Sequence, residues 1–427
     1  MSFVSCKSLS LDISSKKKKN HNLDVTKKLA MVLEISNKVS SFFEGTKESV
    51  VKNTMIVCQG IFKAKSVNLN EVKLVLPEIL ENKETKIDSH YKRLTRFFNL
   101  PDEQKRELSE SLLRVSMVLL GNTKKNLSQA YLTLDGTKWY HDDGYIHLLT
   151  LCIVVNGVSI PIWWEDLSKK GHSSQAERLS FFKKALSRYD LKGKCLLADR
   201  EYIGRDWFDF LKDEGINFVI RLPKDTYREE VDNMTLRTNN KETSQHLRYS
   251  ALEHRARLTK YHRKGVAKEV YINQRKYLLV IVRNLKWKKG DEPKEELLYL
   301  LTTFSKRTKT IKAYAIRWSI ECCFRCLKSK GFDLEAVNLK GDEKIFLIVA
   351  IVSFLYTLCV IQGISYARKT SNKIFKKLTD GNRQLIKSYF KLGKEELRRF
   401  IFDVHDFVTF LNLRITSVKS KNKVFVH

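Results

Sequence analysis

The sequence is short of acidic residues, and it lacks the cysteine and leader patterns of extracellular proteins. Only 48 Asp and Glu residues face 79 Lys and Arg residues, which leaves a formal net charge of +31. The eight cysteines follow no framework spacing, and the C-x-x-C pair Cys323 and Cys326 has no second Cys or His pair at a zinc-like distance. The first residues contain no long apolar stretch typical of a signal peptide. We therefore expect a cytoplasmic chain with free thiols.

The excess of positive charge favours a polyanionic partner. A charge of this size repels itself unless something neutralises it, so nucleic acid is the leading candidate. An anionic membrane surface and a merely basic soluble protein are the alternatives. The length of 427 residues and the 43% share of hydrophobic residues exclude a disordered chain and allow two to four domains.

Only one long hydrophobic run occurs, at residues 345–361. Its 17 uncharged residues reach the lower limit for a membrane span, but Ser353, Tyr356 and Thr357 interrupt it. The alternative is a buried helix in a large core.

The first 125 residues read as a basic arm followed by helices. Residues 1–25 carry a lysine run and little periodicity, which is typical of a flexible arm. Residues 26–125 have helical patterning, and the third short helix places Lys92, Arg93 and Arg96 beside apolar anchors. This pattern indicates a helix-turn-helix that presents the three cations to DNA, or an ordinary helical bundle with a solvated basic face.

The middle of the chain has the pattern of an α/β protein with a mixed sheet and flanking helices. Three β-rich segments, at 131–135, 145–155 and 157–164, precede helices that alternate with strands at 193–199 and 217–222. This is the order of an RNase H-like sheet. We therefore predict a core in two parts, residues 126–222 and 296–365. A β-rich insertion, residues 223–295, would separate the two parts, and a basic helical region, residues 366–427, would follow them.

Two aspartates follow predicted strands. Asp135 ends one strand in Thr-Leu-Asp-Gly-Thr, and Asp199 ends another in Leu-Ala-Asp-Arg-Glu. Carboxylates beyond the ends of neighbouring buried strands can converge above a sheet, where Mg²⁺ accepts hard oxygen ligands. Two such ions can clamp the attacking and leaving oxygens of a phosphoryl transfer. The alternative is that each Asp is a turn former or a helix cap.

The segment 314–328 places four functional groups on one side of a helix. At 100° per residue, Tyr314, Arg317, Glu321 and Lys328 fall within about 60° of one another, opposite an apolar stripe. A carboxylate flanked by cations suits a site that holds metal ions against a phosphate backbone, because Arg binds phosphate bidentately and Lys acts as a point charge.

This spacing, Tyr-x2-Arg-x3-Glu-x6-Lys, resembles the Y-R-E-K signature of a family of bacterial insertion-sequence transposases with a DDE catalytic core. Leu-Asp-Gly-Thr at 134–137 resembles the first Asp motif of the family, and the region beginning Ala-Asp-Arg-Glu at 198–201 resembles the second. The resemblance covers roughly residues 85–365. It implies that Asp135, Asp199 and Glu321 are catalytic and bind two Mg²⁺ ions, for which Mn²⁺ can substitute. It also implies phosphate contacts for Tyr314, Arg317 and Lys328.

The resemblance also implies a reaction and partners. The enzyme would cut double-stranded DNA at terminal inverted repeats, form a hairpin intermediate and join the 3′ ends to target DNA, as a homodimer at the nucleoid and not at a membrane. An aromatic residue of the insertion would stack on a flipped base; Tyr299 is the nearest counterpart and Trp287 the alternative. Residues 345–361 then become a core helix. The alternative functions are an RNase H-like nuclease without transposition and an inactive DNA-binding regulator.

Overall fold

A computed structural model describes most of the chain, namely residues 41–121, 131–142, 144–234, 247–258, 264–284, 287, 290, 292, 295–370, 374–377, 383–399 and 401–416. The predicted basic arm, residues 1–25, lies outside the described residues. The chain forms two compact units. We call Met1–Asn122 with Glu343–Lys421 the helical unit, and Thr123–Asp342 with Asn422–His427 the sheet unit.

The first part of the helical unit consists of consecutive amphipathic helices: α1 (Glu48–Ala64), α2 (Leu69–Ile79), α3 (Ile87–Phe98) and α4 (Asp102–Gly121). The side chain of Asn68 caps α2 by accepting a hydrogen bond of 2.9 Å from the backbone N–H of Asn70. Helix α3 buries Leu94, Phe97 and Phe98. Helices α1, α2 and α3 pack on one another.

The sheet unit is built on eight strands: β1 (Tyr131–His141), β2 (Gly144–Val155), β3 (Val158–Asp166), β4 (Cys195–Ala198), β5 (Asn217–Leu222), β6 (Val266–Ile272), β7 (Arg275–Arg283) and β8 (Leu297–Thr302). Their order in the sheet is β3-β2-β1-β4-β5-β8-β7-β6. Strands β1, β4 and β5 are parallel, and the other pairings are antiparallel. The predicted mixed sheet with the strand order of an RNase H-like core is confirmed. Strands β6 and β7 of the predicted insertion extend the same sheet through β8.

Helices accompany the strands of the sheet unit: α5 (Gln175–Leu186), α6 (Arg205–Asp213), α7 (Arg228–Asn233), α8 (Tyr249–Arg257), α9 (Arg307–Ile316) and α10 (Trp318–Leu327). The single helix predicted for 314–328 is divided at Arg317. There the backbone N–H of Arg317 donates to the carbonyl of Tyr314 at 3.0 Å, a tighter i→i−3 contact, although Arg317 keeps helical angles of φ −50° and ψ −37°. A π-helical turn, Lys328–Phe332, follows α10.

The long apolar run forms α11 (Asp342–Lys369), and 89% of its most apolar window is buried. It groups with the N-terminal helices in the helical unit, whereas we expected it to end the sheet core at residue 365. A helix that is apolar all round carries no polar face, so its pattern does not reveal which core it joins. It is followed by β9 (Phe375–Lys377), β10 (Arg383–Leu385), α12 (Tyr389–Leu397) and α13 (Val404–Thr416). Gly363 lets α11 approach α12 closely, because a Cβ there would lie 1.9 Å from the carbonyl oxygen of Tyr389.

Candidate active site

The register of two parallel strands brings the predicted aspartates together. Leu134 on β1 pairs with Ala198 on β4, so Asp135 and Asp199 are the next residues on neighbouring strands. Asp199 directly follows β4, as predicted. Asp135 does not end its strand, because β1 continues to His141 through pairing with β2. Each carboxylate accepts a backbone N–H: Asp135 from Gly136 at 2.9 Å and Asp199 from Arg200 at 2.8 Å.

Helix α10 supplies Glu321 and is fixed to the sheet by a chain of buried hydroxyls. Helix α10 packs against β3 and β1. Ser319 on α10 lies 2.6 Å from the hydroxyl of Ser159 on β3, which in turn lies 2.8 Å from the hydroxyl of Thr133 on β1. Ser319 precedes Glu321 by two residues, so this chain ties the position of the third carboxylate to the strand that carries the first.

The guanidinium of Arg317 joins the three predicted carboxylates. It lies 3.4 Å from Oδ2 of Asp135 and 3.8 Å from Oδ2 of Asp199, and it forms an ion pair with Oε1 of Glu321 one helical turn away. Burial alone would lower the pKa of Arg317, but the charges of Asp199 and the other carboxylates raise it above the usual value. The structure therefore gathers three of the predicted site residues around a fourth, the cation Arg317.

Tyr314 and Arg221 complete the surroundings of Asp199. The hydroxyl of Tyr314 donates to Oδ1 of Asp199 at 3.4 Å, and burial raises the pKa of Tyr314 above its usual value. The guanidinium of Arg221 lies 3.7 Å from the same oxygen and forms a second ion pair with Glu295. Glu295 also pairs with Arg200 at 2.9 Å. Asp199 is therefore held by two cations and a tyrosine.

Two neighbouring carboxylates have opposite pKa shifts. Burial raises the pKa of Asp135 to about 7, because desolvation and the charges of Asp199 and Glu201 outweigh Arg317 and the Gly136 hydrogen bond. Burial would also raise the pKa of Glu201, but hydrogen bonds from the backbone and hydroxyl of Ser173 and from His172 lower it. Asp135 is thus easier to protonate than Glu201.

The donor set fits a hard divalent cation. Three carboxylates surround a single positive group, so the site already selects for a cation, and carboxylate oxygens are the ligands that Mg²⁺ and Mn²⁺ take. Within the described part of the chain, no three His, Cys, Asp or Glu side chains lie close enough together to share one ion. Asp135, Asp199 and Glu321 would hold the ion only after the guanidinium of Arg317, which now lies between them, has moved away.

Lys328 points to different partners from the other three signature residues. Its ammonium pairs with Glu335 at 2.8 Å, donates to the carbonyl of Lys138 at 3.0 Å and lies 5.3 Å from the ring centre of Trp139. The predicted common face therefore contains Tyr314, Arg317 and Glu321 around the aspartates, whereas Lys328 lies at the start of the π-helical turn with its own counter-ion.

The two aromatic residues predicted to stack on DNA are engaged within the protein. Tyr299 is buried in β8, where its ring stacks on Tyr249 and its hydroxyl donates to the buried Glu253. Trp287 is half-buried, and its indole N–H donates to the carbonyl of Glu292 at 3.1 Å. The burial of Tyr299 corresponds to a core strand aromatic; stacking on a base would require it to leave this packing.

The cations predicted to contact DNA in the helical unit are exposed. Lys92, Arg93 and Arg96 lie on the solvent side of α3, opposite the buried Leu94 and Phe98. The Nε–H group of Arg96 donates to the backbone carbonyl of Lys92 at 3.1 Å. The structure therefore places these three side chains together on one open helix face.

Sequence reasoning missed several residues that support the site. They are the hydroxyl chain of Thr133, Ser159 and Ser319, the acid partners Glu295 and Glu335, and the hydrogen-bonded Glu201. Small hydroxyl residues and surface acids carry no spacing signal, and the hydroxyl partners lie 26 and 160 positions apart along the chain. Only the Asp-Arg-Glu sequence at 199–201 could have drawn attention to Glu201.

Comparisons with known proteins identify the family of the chain. No curated protein matches the chain. Among solved structures, a cryo-EM structure of the piggyBac transposase synaptic complex with hairpin DNA aligns with 91% of this chain and 78% of that chain, at 12% identity and a TM-score of 0.38. A family model described as a transposase DDE domain matches residues 124–358, more than half of the chain. The chain therefore belongs to the transposases with a DDE domain.

Proposed function

We propose that this DDE transposase moves a bacterial insertion sequence and belongs to the subfamily with the Y-R-E-K signature. Membership of the DDE family makes it an enzyme of DNA transposition that cleaves and transfers DNA strands. The finer assignment is supported by the spacing of Tyr314, Arg317, Glu321 and Lys328, and by the contacts that three of these four make around the aspartates.

The convergence of Asp135, Asp199 and Glu321 on one guanidinium is the observation that carries the proposal. These carboxylates would hold divalent metal, Mg²⁺ or in its place Mn²⁺, with two ions expected per site. When bound, the metal supplies an activated oxygen nucleophile and neutralises charge at the scissile phosphate. The protein contributes fixed geometry: the paired strands position the aspartates, and the hydroxyl chain on α10 positions Glu321.

The cations around the carboxylates would bind and orient the DNA backbone. Arg317 offers a planar fork that suits a phosphate, and Lys328 offers a point charge. Tyr314, whose hydroxyl already reaches Asp199, would bridge that carboxylate and the phosphate of the transposon end. A hairpin intermediate remains part of the proposal, with Tyr299 or Trp287 as the stacking residue once released from its present contacts.

The helical unit would bind the terminal inverted repeats. Its exposed cations Lys92, Arg93 and Arg96 would contact DNA from the third helix of the compact α1–α3 group. We further propose that residues 26–125 and the basic residues 366–427 serve DNA binding, and that the segments 126–222 and 296–342 around the insertion 223–295 serve catalysis. A homodimer would hold the two ends at the bacterial nucleoid.

The direct test is incubation of the full chain with labelled terminal-repeat DNA, target DNA and Mg²⁺. The wild type should cut at the repeat and join the 3′ end to target, and Asp135→Asn should do neither. Asp190→Asn, which alters an exposed acid of the sheet unit, is the matched control and should retain both steps. Equal cutting by Asp135→Asn would refute the site, and cutting without joining would favour the nuclease alternative.

A further inference from the structure

Arg317 is the most heavily engaged cation in the site. Its side chain is only 12% exposed, and it forms ion pairs with three carboxylates that come from β1, from the end of β4 and from α10. By contrast, Arg205 in the same unit pairs with the single acid Glu230 and is 55% exposed. Such an arrangement makes Arg317 the counter-ion that offsets the mutual repulsion of the three carboxylates.

The same position is the one that a divalent cation needs. In the described residues no three acidic or other metal-binding side chains are close enough together to bind one ion, and the carboxylates are arranged around the guanidinium instead. A guanidinium and a divalent ion would therefore compete for the same oxygens. Both cannot occupy the centre at once, because each satisfies the same negative charges and like charges repel at short range.

The position also conflicts with simultaneous phosphate binding. A guanidinium has five N–H donors in a fixed plane. In Arg317, Nη1 donates to Asp135, and Nη2 donates to Glu321 and lies 3.8 Å from Asp199. A bidentate contact with a DNA phosphate through the N–H groups that now face the carboxylates requires those groups to turn away from them. The phosphate role of Arg317 thus becomes available only after another cation has taken over the neutralisation of the three acids.

We propose that Arg317 is the resting counter-ion of the three carboxylates, and that its guanidinium moves from them to the DNA backbone when a divalent cation binds. This movement couples metal binding to DNA binding, because the Arg317 side chain cannot pair fully with the carboxylates and with a DNA phosphate at the same time. This inference rests on the proposed metal site at Asp135, Asp199 and Glu321.

Metal affinity without DNA gives the first measurement. Mn²⁺ is titrated into the full chain and free Mn²⁺ is followed by electron paramagnetic resonance. Arg317→Gln should bind Mn²⁺ about tenfold more tightly than the wild type, because the competing cation is gone. Arg205→Gln, which removes one cation from a single acid elsewhere in the unit, should bind like the wild type.

Asp135→Asn separates the two hypotheses. If the wild type binds Mn²⁺, Asp135→Asn loses it and Arg317→Gln is unchanged or weaker, the metal site stands and the counter-ion role is overturned. If the wild type binds no Mn²⁺, or Asp135→Asn binds it equally well, both the metal site and the inference built on it fail.

The wild-type protein provides a second readout that does not depend on the folding of a variant. Phenylglyoxal labels accessible arginines, and the modified peptides are quantified by mass spectrometry. Arg317 should be protected in EDTA and become labelled several-fold faster in Mg²⁺, while labelling of Arg205 should not change with metal. Continued protection of Arg317 in saturating Mg²⁺ would show that it stays with the carboxylates and would overturn the proposal.

Discussion

Lys328 and Glu335 form an ion pair in which the ammonium nitrogen lies 2.8 Å from the carboxylate oxygen. Lys328 begins the π-helical turn after α10, and Glu335 follows that turn. The Lys328 side chain is 17% exposed and also donates to the carbonyl of Lys138. Its ammonium is therefore neutralised by the protein itself. If Lys328 contacts a DNA phosphate as proposed, that phosphate has to compete with Glu335, so we expect this acid to weaken DNA binding.

Replacement of Glu335 should strengthen the binding of transposon-end DNA. Glu335→Gln removes the competing charge and a source of repulsion toward phosphates, and because the acid is 42% exposed we expect only a modest gain, about two- to fivefold in affinity. The measurement is fluorescence anisotropy with end DNA at fixed salt. Glu269→Gln, which breaks the exposed pair with Lys276, is the control for a general change of charge. Equal gains in the two variants would contradict a specific role for Glu335.

The hydroxyl chain beneath α10 should matter for both stability and cleavage. Ser159→Ala leaves the buried hydroxyls of Thr133 and Ser319 without this shared partner, which should lower the free energy of unfolding by about 1–3 kcal/mol. Because Ser319 lies two residues before Glu321, the cleavage rate should fall even under conditions where the variant is fully folded.

Urea unfolding and a single-turnover cleavage assay measure the two effects of Ser159→Ala. Ser187→Ala, which removes an exposed hydroxyl that donates to the carbonyl of Lys184, should leave both quantities unchanged. A stable variant with a normal cleavage rate would show that the chain does not position the helix.

The raised pKa of Asp135 predicts opposite effects of pH on stability and on metal binding. Its folded pKa of about 7 exceeds the ordinary value of 3.8, so the folded state retains a proton that the unfolded chain has lost. The resulting stabilisation is complete below about pH 4 and disappears as pH rises through 7. Metal binding needs the ionised carboxylate, so metal affinity should rise up to about pH 7 and then level off.

Denaturation in EDTA between pH 5 and 8 tests this linkage. The wild type should lose stability relative to Asp135→Asn over this range, by an amount on the order of a few kcal/mol at most. The amide does not titrate, so a wild-type profile parallel to that of Asp135→Asn would contradict the raised pKa.

Much of the sheet follows from local patterns, since strands alternate or run apolar over short stretches bounded by turn residues. The segment 217–222 was predicted with the bounds that β5 has, and the strand order of the core followed from the order of elements along the chain. The continuation of β1 beyond Asp135 could not be predicted from the sequence, because it depends on pairing with β2. The placement of α11 in the helical unit was equally hidden, because tertiary contacts decide which core an apolar helix joins.

The site was predictable to the extent that spacing on one element carries the information. Helical periodicity placed Tyr314, Arg317 and Glu321 on one face. The predicted strand ends identified Asp135 and Asp199 as candidate metal ligands. The ion pairs of Arg317 with residues more than 100 positions away depend on the fold, as does the pairing of Lys328 with Glu335. A sequence pattern identifies which groups share a face, but the competition among their partners is decided in three dimensions.

The buried contact of Tyr299 predicts a structural effect that is separate from base stacking. Tyr299→Phe keeps the ring on Tyr249 but removes the donor to the buried Glu253, so the free energy of unfolding should fall by about 1–3 kcal/mol. Tyr277→Phe, also buried but with a longer contact of 3.4 Å to Asp209, is the control and should cost less. Urea denaturation decides the matter: equal small losses would show that the pair with Glu253 is not important for stability.

The exposed cations of α3 should contribute to DNA affinity through counter-ion release. Arg93→Ala removes one of three neighbouring charges on the open face of the helix, so binding of terminal-repeat DNA should weaken, and the slope of log affinity against log salt should fall by about 0.9 if the side chain contacts one phosphate. Lys52→Ala removes an exposed charge from α1 and should leave the slope unchanged. If Arg93→Ala and Lys52→Ala both give the wild-type slope, Arg93 contacts no phosphate. That result would favour the alternative, in which the cations of α3 form a solvated face of an ordinary helical bundle.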